Sequence, residues 1–137
     1  MKVQNYLFFD GRCQEALAFY ADVLGAKTTM LMRVKDSPDP LPPEMCPPGS
    51  EDNVLHAEFN VGETTLMASD GQGGHKPEFK GFALSLDAKD ADDAKRLYDA
   101  LGDGGAVLMP LGKTFFSPCF GMVADRFGVS WMVIVNP

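Results

Sequence analysis

Glu15-Ala16-Leu17-Ala18-Phe19-Tyr20 is echoed further along the chain by Asp93-Ala94-Lys95-Arg96-Leu97-Tyr98. In both, an acid and an alanine are followed at helical spacing by a bulky apolar residue and a tyrosine. Each stretch therefore lays one small and two large side chains along one face of a helix. Working outward, the first copy becomes a helix over Cys13–Leu24, with Ala16, Leu17, Phe19, Tyr20, Val23 and Leu24 at apolar positions and Gly25 as its stop. The second becomes a helix over Asp90–Leu101, capped by Asp87 or Asp90, with acids in its first turn to complement the helix dipole.

Strand-like runs flank both helices. Val3–Phe9 precedes the first, and Lys27–Val34, Val54–Val61 and Thr64–Ser69 follow it. Gly81–Leu86 precedes the second, and Ala106–Leu111, Phe120–Ala124 and Val129–Val135 follow it. The hairpin pattern Gly62-x-x-x-Leu66-Met67 also returns, as Gly128-x-x-Trp131-Met132. Element order, helix register and hairpin agree on an α+β fold built from two tandem βαβββ modules, residues 1–70 and 79–137 of a single domain spanning 1–137. The unequal spacing is absorbed by Asp36–Asn53, whose Pro38, Pro40, Pro42, Pro43, Pro47 and Pro48 oppose regular helix or sheet. Each module leaves one sheet face without a helix. Two modules side by side are expected to curl those faces around a cleft suited to a small molecule, with the proline loop as a lid.

Composition narrows the function. The 137 residues carry a net charge of −7, and charged residues are scattered without a basic patch. Such a surface repels phosphate backbones, so no nucleic-acid partner is expected. No apolar run approaches the roughly 20 residues that span a bilayer, and the start of the chain lacks a signal-peptide pattern, so no membrane association and a cytoplasmic location are expected. Cys13, Cys46 and Cys119 form neither a CxxC pair nor a disulfide framework. G-x-S-x-G, G-x-x-x-x-G-K-[ST] and G-x-G-x-x-G are all absent.

His56 and Glu58 are the sharpest candidates for chemistry. Alternation along the strand puts them on one face and Ala57, Phe59 and Val61 on the other. A histidine two residues from a glutamate is either a general base with its partner or a pocket-lining group held by that partner, and both readings stand. Asn5, Leu7 and Phe9 are expected on the cleft side of the first strand, Gly81, Ala83 and Ser85 on that of the second module, and Ser130 and Met132 on the last strand. Phe115, Phe116 and Phe120 read, with Trp131, as core packing. His75 reads as a solvated loop residue, and nothing positions it against Cys46 as base to nucleophile.

Gln4-Asn5-Tyr6-Leu7-Phe8-Phe9-Asp10-Gly11, followed by Ala16-Leu17-Ala18-Phe19-Tyr20 and Leu24-Gly25, resembles the glyoxalase, bleomycin-resistance and extradiol-dioxygenase (vicinal oxygen chelate) superfamily. Leu55-His56-Ala57-Glu58, Leu66-Met67-Ala68-Ser69-Asp70 and Phe127-Gly128-Val129-Ser130-Trp131-Met132 narrow the resemblance to the PhnB-like branch, often described as 3-demethylubiquinone methyltransferase-like. The resemblance implies paired βαβββ modules and a homodimer. In metal-dependent members it also implies four ligands on cleft-facing strands around a divalent ion. Those positions fall here on Asn5, His56, Gly81 and Met132, of which only His56 is a good donor for such an ion. The expectation is therefore no metal and no cofactor, and a metal-free, small-molecule-binding protein in the manner of the bleomycin-resistance members. The alternative is a metal-dependent glyoxalase-type isomerase, lyase or dioxygenase centred on His56 with Asn5 or Glu58. Methyl transfer is not expected, because a cofactor-dependent methyltransferase needs a doubly wound sheet and an adenosine pocket.

Overall fold

The computed structural model describes residues 1–71 and 76–137. The expected solvated loop residue His75 lies outside the described residues. The chain divides into two compact units, Met1–Pro77 and Glu78–Pro137. The first comprises β1 (Tyr6–Phe8), α1 (Cys13–Leu24), β2 (Lys27–Arg33), β3 (Val54–Val61) and β4 (Thr64–Ser69). Its sheet has the order β1-β4-β3-β2, with β1 parallel to β4 and the other neighbours antiparallel. The second comprises β5 (Leu84–Ala88), α2 (Ala91–Gly102), β6 (Ala106–Gly112), β7 (Cys119–Ala124) and β8 (Ser130–Val135), in the order β5-β8-β7-β6 with the same directions. The two tandem βαβββ modules are thus the same topology written twice.

In the first unit α1 buries Ala16, Leu17, Phe19 and Tyr20. Tyr20 stacks on Phe59 of β3, with ring centroids 6.0 Å apart and planes 9° apart, and Phe9 stands 6.4 Å from the same ring. Each such side chain contributes about 1.5–3 kcal/mol by leaving water. The helix ends where Gly25 turns left-handed at φ 67° and its N–H reaches the Ala21 carbonyl. In the second unit Ala94, Leu97 and Leu101 of α2 are buried, as are Val123, Trp131 and Val133 of the sheet. Asp90, rather than Asp87, caps α2. Its carboxylate accepts from the Asp93 N–H at 2.8 Å, while Asp93 accepts from the Lys89 N–H at 3.0 Å.

Helix α1 lacks a cap of its own, because Arg12 precedes it. Asp70, just past β4, supplies one from a distance. Its Oδ1 accepts from the Gly11 and Cys13 N–H groups, both at 2.8 Å, and its Oδ2 from the Val54 N–H at 2.7 Å. Asp125, in the turn between β7 and β8, is the counterpart in the second unit. It accepts from the Phe127 N–H at 2.9 Å, the Val129 N–H at 3.1 Å and the Trp131 indole at 2.9 Å. Both carboxylates are buried.

Several expectations need correction. The first strand is Tyr6–Phe8 rather than Val3–Phe9, because its ladder with β4 runs only from Tyr6–Met67 to Phe8–Ser69. The strand before α2 is Leu84–Ala88 rather than Gly81–Leu86, because Leu84 is the first residue to pair with β8 and Gly81 turns left-handed at φ 80°. Phe115 and Phe116 are not core residues. Phe115 is 100% exposed and Phe116 41%, whereas Phe120 and Trp131 are buried. The reason is the turn itself. Thr114 and Ser117 close it through Thr114 N–H to the Ser117 carbonyl (2.9 Å) and Ser117 N–H to Thr114 Oγ1 (3.0 Å), which throws the two rings between them outward.

The proline loop holds two short 3-10 turns, Val34–Asp36 and Pro43–Met45. Its ends are tied by Val34 N–H to the Asn53 carbonyl, Lys35 N–H to the Glu51 carbonyl and a Lys35–Asp52 ion pair at 2.8 Å.

The cysteines differ sharply in their surroundings. Burial, with the Asp70 charge beside it, pushes the Cys13 thiol up to about 12. A thiol attacks as its thiolate, so Cys13 is inert at neutral pH. Cys119 is buried and Cys46 only half-buried. In the native protein, titration with a disulfide reagent at neutral pH is expected to find one fast thiol, lost in Cys46→Ser, and three after unfolding. Fast labelling of Cys13 would mean that the first unit opens locally.

Candidate functional site

The residues that face away from α1 follow from strand register. Directly paired residues point to the same side of a sheet, so Tyr6, Met67, Glu58 and Met30 form one row across β1, β4, β3 and β2. His56 and its partner Met32 belong to the same face. This face is lined by three methionines, Tyr6, the half-exposed Phe8 and the polar pair His56 and Glu58.

Three of these side chains form a chain of hydrogen bonds. The Tyr6 hydroxyl lies 2.8 Å from His56 Nδ1, and His56 Nε2 lies 3.3 Å from Glu58 Oε2. The Tyr6 and His56 rings stack with centroids 5.5 Å apart, and Tyr6 also leans on Phe8 at 4.9 Å. The side chains of His56 and Glu58 keep 29% and 40% of their surface in solvent, so the array is open to a ligand.

The polarity of the chain follows from the groups available. A carboxylate only accepts, so Nε2 carries the ring proton that faces Glu58. Nδ1 of the neutral ring is then an acceptor, and the Tyr6 hydroxyl donates to it. Tyr6 and Glu58 together fix the tautomer and the plane of the imidazole, as a second hydrogen bond does for a histidine poised for acid–base work.

The sequence-derived candidates divide. His56 and Glu58 come together on the open face. Asn5 is exposed just ahead of β1, and its carbonyl accepts from the Met67 N–H at 3.1 Å. Leu7 and Phe9 do not lie on this face, which corrects their expected orientation. Both are buried, Leu7 pairs with the buried Ala68, and Phe9 packs on Tyr20 of α1. Tyr6 is the residue that sequence reasoning missed. A tyrosine hydroxyl amid apolar neighbours needs a polar partner, and that requirement was the one available signal. In the second unit Ser85 pairs with Met132, and the row continues through Met122 to Met109.

A resident divalent ion does not fit the positions that metal-dependent relatives would use. Asn5 stands before its strand, Gly81 has no side chain, Met132 offers a neutral thioether, and both ring nitrogens of His56 are already engaged. Among the described residues, no group of three His, Cys, Asp or Glu side chains gathers to hold a metal. In the second unit a shallow groove of about 580 Å³ is lined by Tyr98, Asp99, Asp103, Val107 and Val123, none of them a site candidate. Among the described residues, no helix is long and apolar enough to cross a membrane.

Comparison with known proteins agrees with this architecture. The family model described as 3-demethylubiquinone-9 3-methyltransferase matches residues 1–134. Protein YjdN of Escherichia coli (strain K12) is 33% identical over 140 residues, covering 98% of this chain and 95% of that protein. The crystal structure of protein PA1353 from Pseudomonas aeruginosa superposes with a TM-score of 0.83 at 38% identity, covering 99% of this chain and 98% of that one. A putative 3-demethylubiquinone-9 3-methyltransferase, PhnB protein, from Bacillus cereus superposes with a TM-score of 0.82 at 28% identity, covering 99% and 100%. A glyoxylase/bleomycin resistance protein/dioxygenase domain from Frankia sp. EAN1pec shares the fold, with a TM-score of 0.66 at 15% identity, covering 100% of this chain and 98% of that one. With its tandem βαβββ modules and these relatives, the chain belongs to the PhnB-like family described as 3-demethylubiquinone-9 3-methyltransferase.

Proposed function

We propose that this protein binds a small, largely apolar molecule on the open face of its first sheet, without a resident metal or other cofactor. The observation that carries the reading is the closed hydrogen-bond chain Tyr6–His56–Glu58 set among Met30, Met32 and Met67. Methionine supplies an adaptable apolar floor, and a few fixed polar groups orient what lies on it. Ser85 and Met132, paired across β5 and β8, are proposed as a separate ligand-contacting pair, a hydroxyl beside a thioether, on the second unit's own sheet.

We take the protein to act as a homodimer in the cytoplasm. Support for self-association comes from β6 and the turn after it, where Val107, Leu108, Met109 and Phe115 are 62%, 51%, 43% and 100% exposed. Three free cysteines suit a reducing compartment.

Native mass spectrometry of protein purified without chelator tests the proposal. The expected spectrum is a dimer free of divalent metal and carrying a co-purified organic mass. In His56→Ala that mass is expected to fall about tenfold in occupancy while the charge-state distribution of the folded protein is kept. One divalent ion per subunit, lost in His56→Ala, would replace the proposal with a metal-dependent isomerase, lyase or dioxygenase.

A further inference from the structure

We infer that the Tyr6–His56–Glu58 array is a reader of hydrogen-bond donors, so that the ligand is an apolar molecule bearing a free hydroxyl or amine, and that His56, by taking the only proton of Tyr6, makes the distinction. The inference rests on the proposed ligand face and names what that face selects.

The argument is an inventory of protons. Glu58 as a carboxylate accepts and donates nothing, so when the imidazole holds a single ring proton that proton sits on Nε2. Nδ1 is then a bare lone pair, and at 2.8 Å the Tyr6 hydroxyl spends its only proton on it. What Tyr6 still offers is the lone pairs of its oxygen. Glu58 likewise offers only lone pairs. Every polar valence that the array has left is therefore an acceptor, although Tyr6 alone would be an ambivalent group. A ligand hydroxyl or amine finds a partner there. A carbonyl, an ester or a methyl ether brings lone pairs to lone pairs, and its binding displaces water from Tyr6 without replacing the bond.

The surroundings fix the rest of the ligand. Tyr6 is held between Phe8 and His56, with ring centroids at 4.9 and 5.5 Å, so its hydroxyl has little freedom to turn towards another partner. Met67, paired with both Tyr6 and Glu58, and Met30, paired with Glu58, flank the array with polarizable, conformable side chains. The class that fits is a planar or aliphatic apolar body with one hydroxyl or amine at its edge, such as a phenol.

The test is a matched pair, 2-naphthol and 2-methoxynaphthalene, which share the apolar body and differ in the donor. Isothermal titration calorimetry on the native protein is expected to give a preference for the naphthol of about tenfold. In His56→Phe the Tyr6 hydroxyl regains a free proton and can donate to the ether oxygen, so the preference is expected to shrink to about twofold or less. Glu58→Gln provides a second variant. Its amide can donate as well as accept, the histidine tautomer is no longer imposed, and the preference is expected to narrow although Tyr6 remains.

Equal affinities for the two probes in the native protein, or a preference that survives in His56→Phe, would overturn the donor-reading inference while leaving the ligand face in place. If neither probe binds, the ligand-face reading fails and this inference falls with it.

Discussion

Replacing Asp70 by alanine is expected to cost the first unit about 4 kcal/mol. Three backbone donors converge on this one buried carboxylate, at Gly11, Cys13 and Val54. Removing it strands the buried Cys13 and Val54 donors, while the N–H of the exposed Gly11 turns to water; an unpaired buried donor costs about 1–3 kcal/mol. The loss has a particular geography. Gly11 and Cys13 lie at the start of α1 and Val54 opens β3, so the carboxylate ties the helix entry to the sheet across 16 to 59 residues of chain. Urea denaturation followed by far-ultraviolet circular dichroism measures the effect. A midpoint shift worth less than about 1 kcal/mol would show that Asp70 is not what anchors α1. Asp70→Asn retains one oxygen but presents an amide to an N–H, and falls between the two.

Asp125→Ala is expected to have the second largest effect, about 3 kcal/mol, for the same reason in the other unit. Its carboxylate accepts from Phe127, Val129 and the indole of Trp131. Trp131 is the single tryptophan of the chain, so its fluorescence reports the second unit alone. The Asp125 variant should lower the fluorescence midpoint and shift the emission as the indole loses its partner. An unchanged emission in the folded protein would contradict the Asp125–Trp131 bond. Trp131→Phe separates the contributions, because it removes the indole N–H and leaves the two backbone bonds of the turn.

Legibility of the fold in the sequence varied with how local the deciding force is. Helix α1 was readable to the residue, Cys13–Leu24, because its apolar stripe and Gly25 are neighbours in the chain. The hairpins at Gly62-Glu63 and Asp125–Gly128 were equally local. The facing of β1 was not readable. Tyr6-Leu7-Phe8-Phe9 is apolar at both parities, so alternation has nothing to distinguish, and only pairing with β4 decides which residues meet α1. That ambiguity hid Tyr6 and misplaced Leu7 and Phe9. His56 and Glu58 were legible because Ala57 and Phe59 supply the contrast on the opposite face. Asp70 gave no signal as a helix cap, since its partners are brought to it by the folded chain. Phe115 and Phe116 misled because residue type records a preference for burial, while a hydrogen-bonded turn of Thr114 and Ser117 decides where the rings go.

The repeated strand registers set the two halves of the chain against each other position by position. Where the first sheet has Tyr6, His56 and Glu58, the second has Ser85, Phe120 and Met122, while Met67 and Met132 are matched, as are Met30 and Met109. The two modules thus share one topology and a row of methionines but differ in the groups set beside it. The hydrogen-bonded imidazole and carboxylate stand on one sheet alone, so any charge that this pair carries belongs to one half of a twofold-repeated frame.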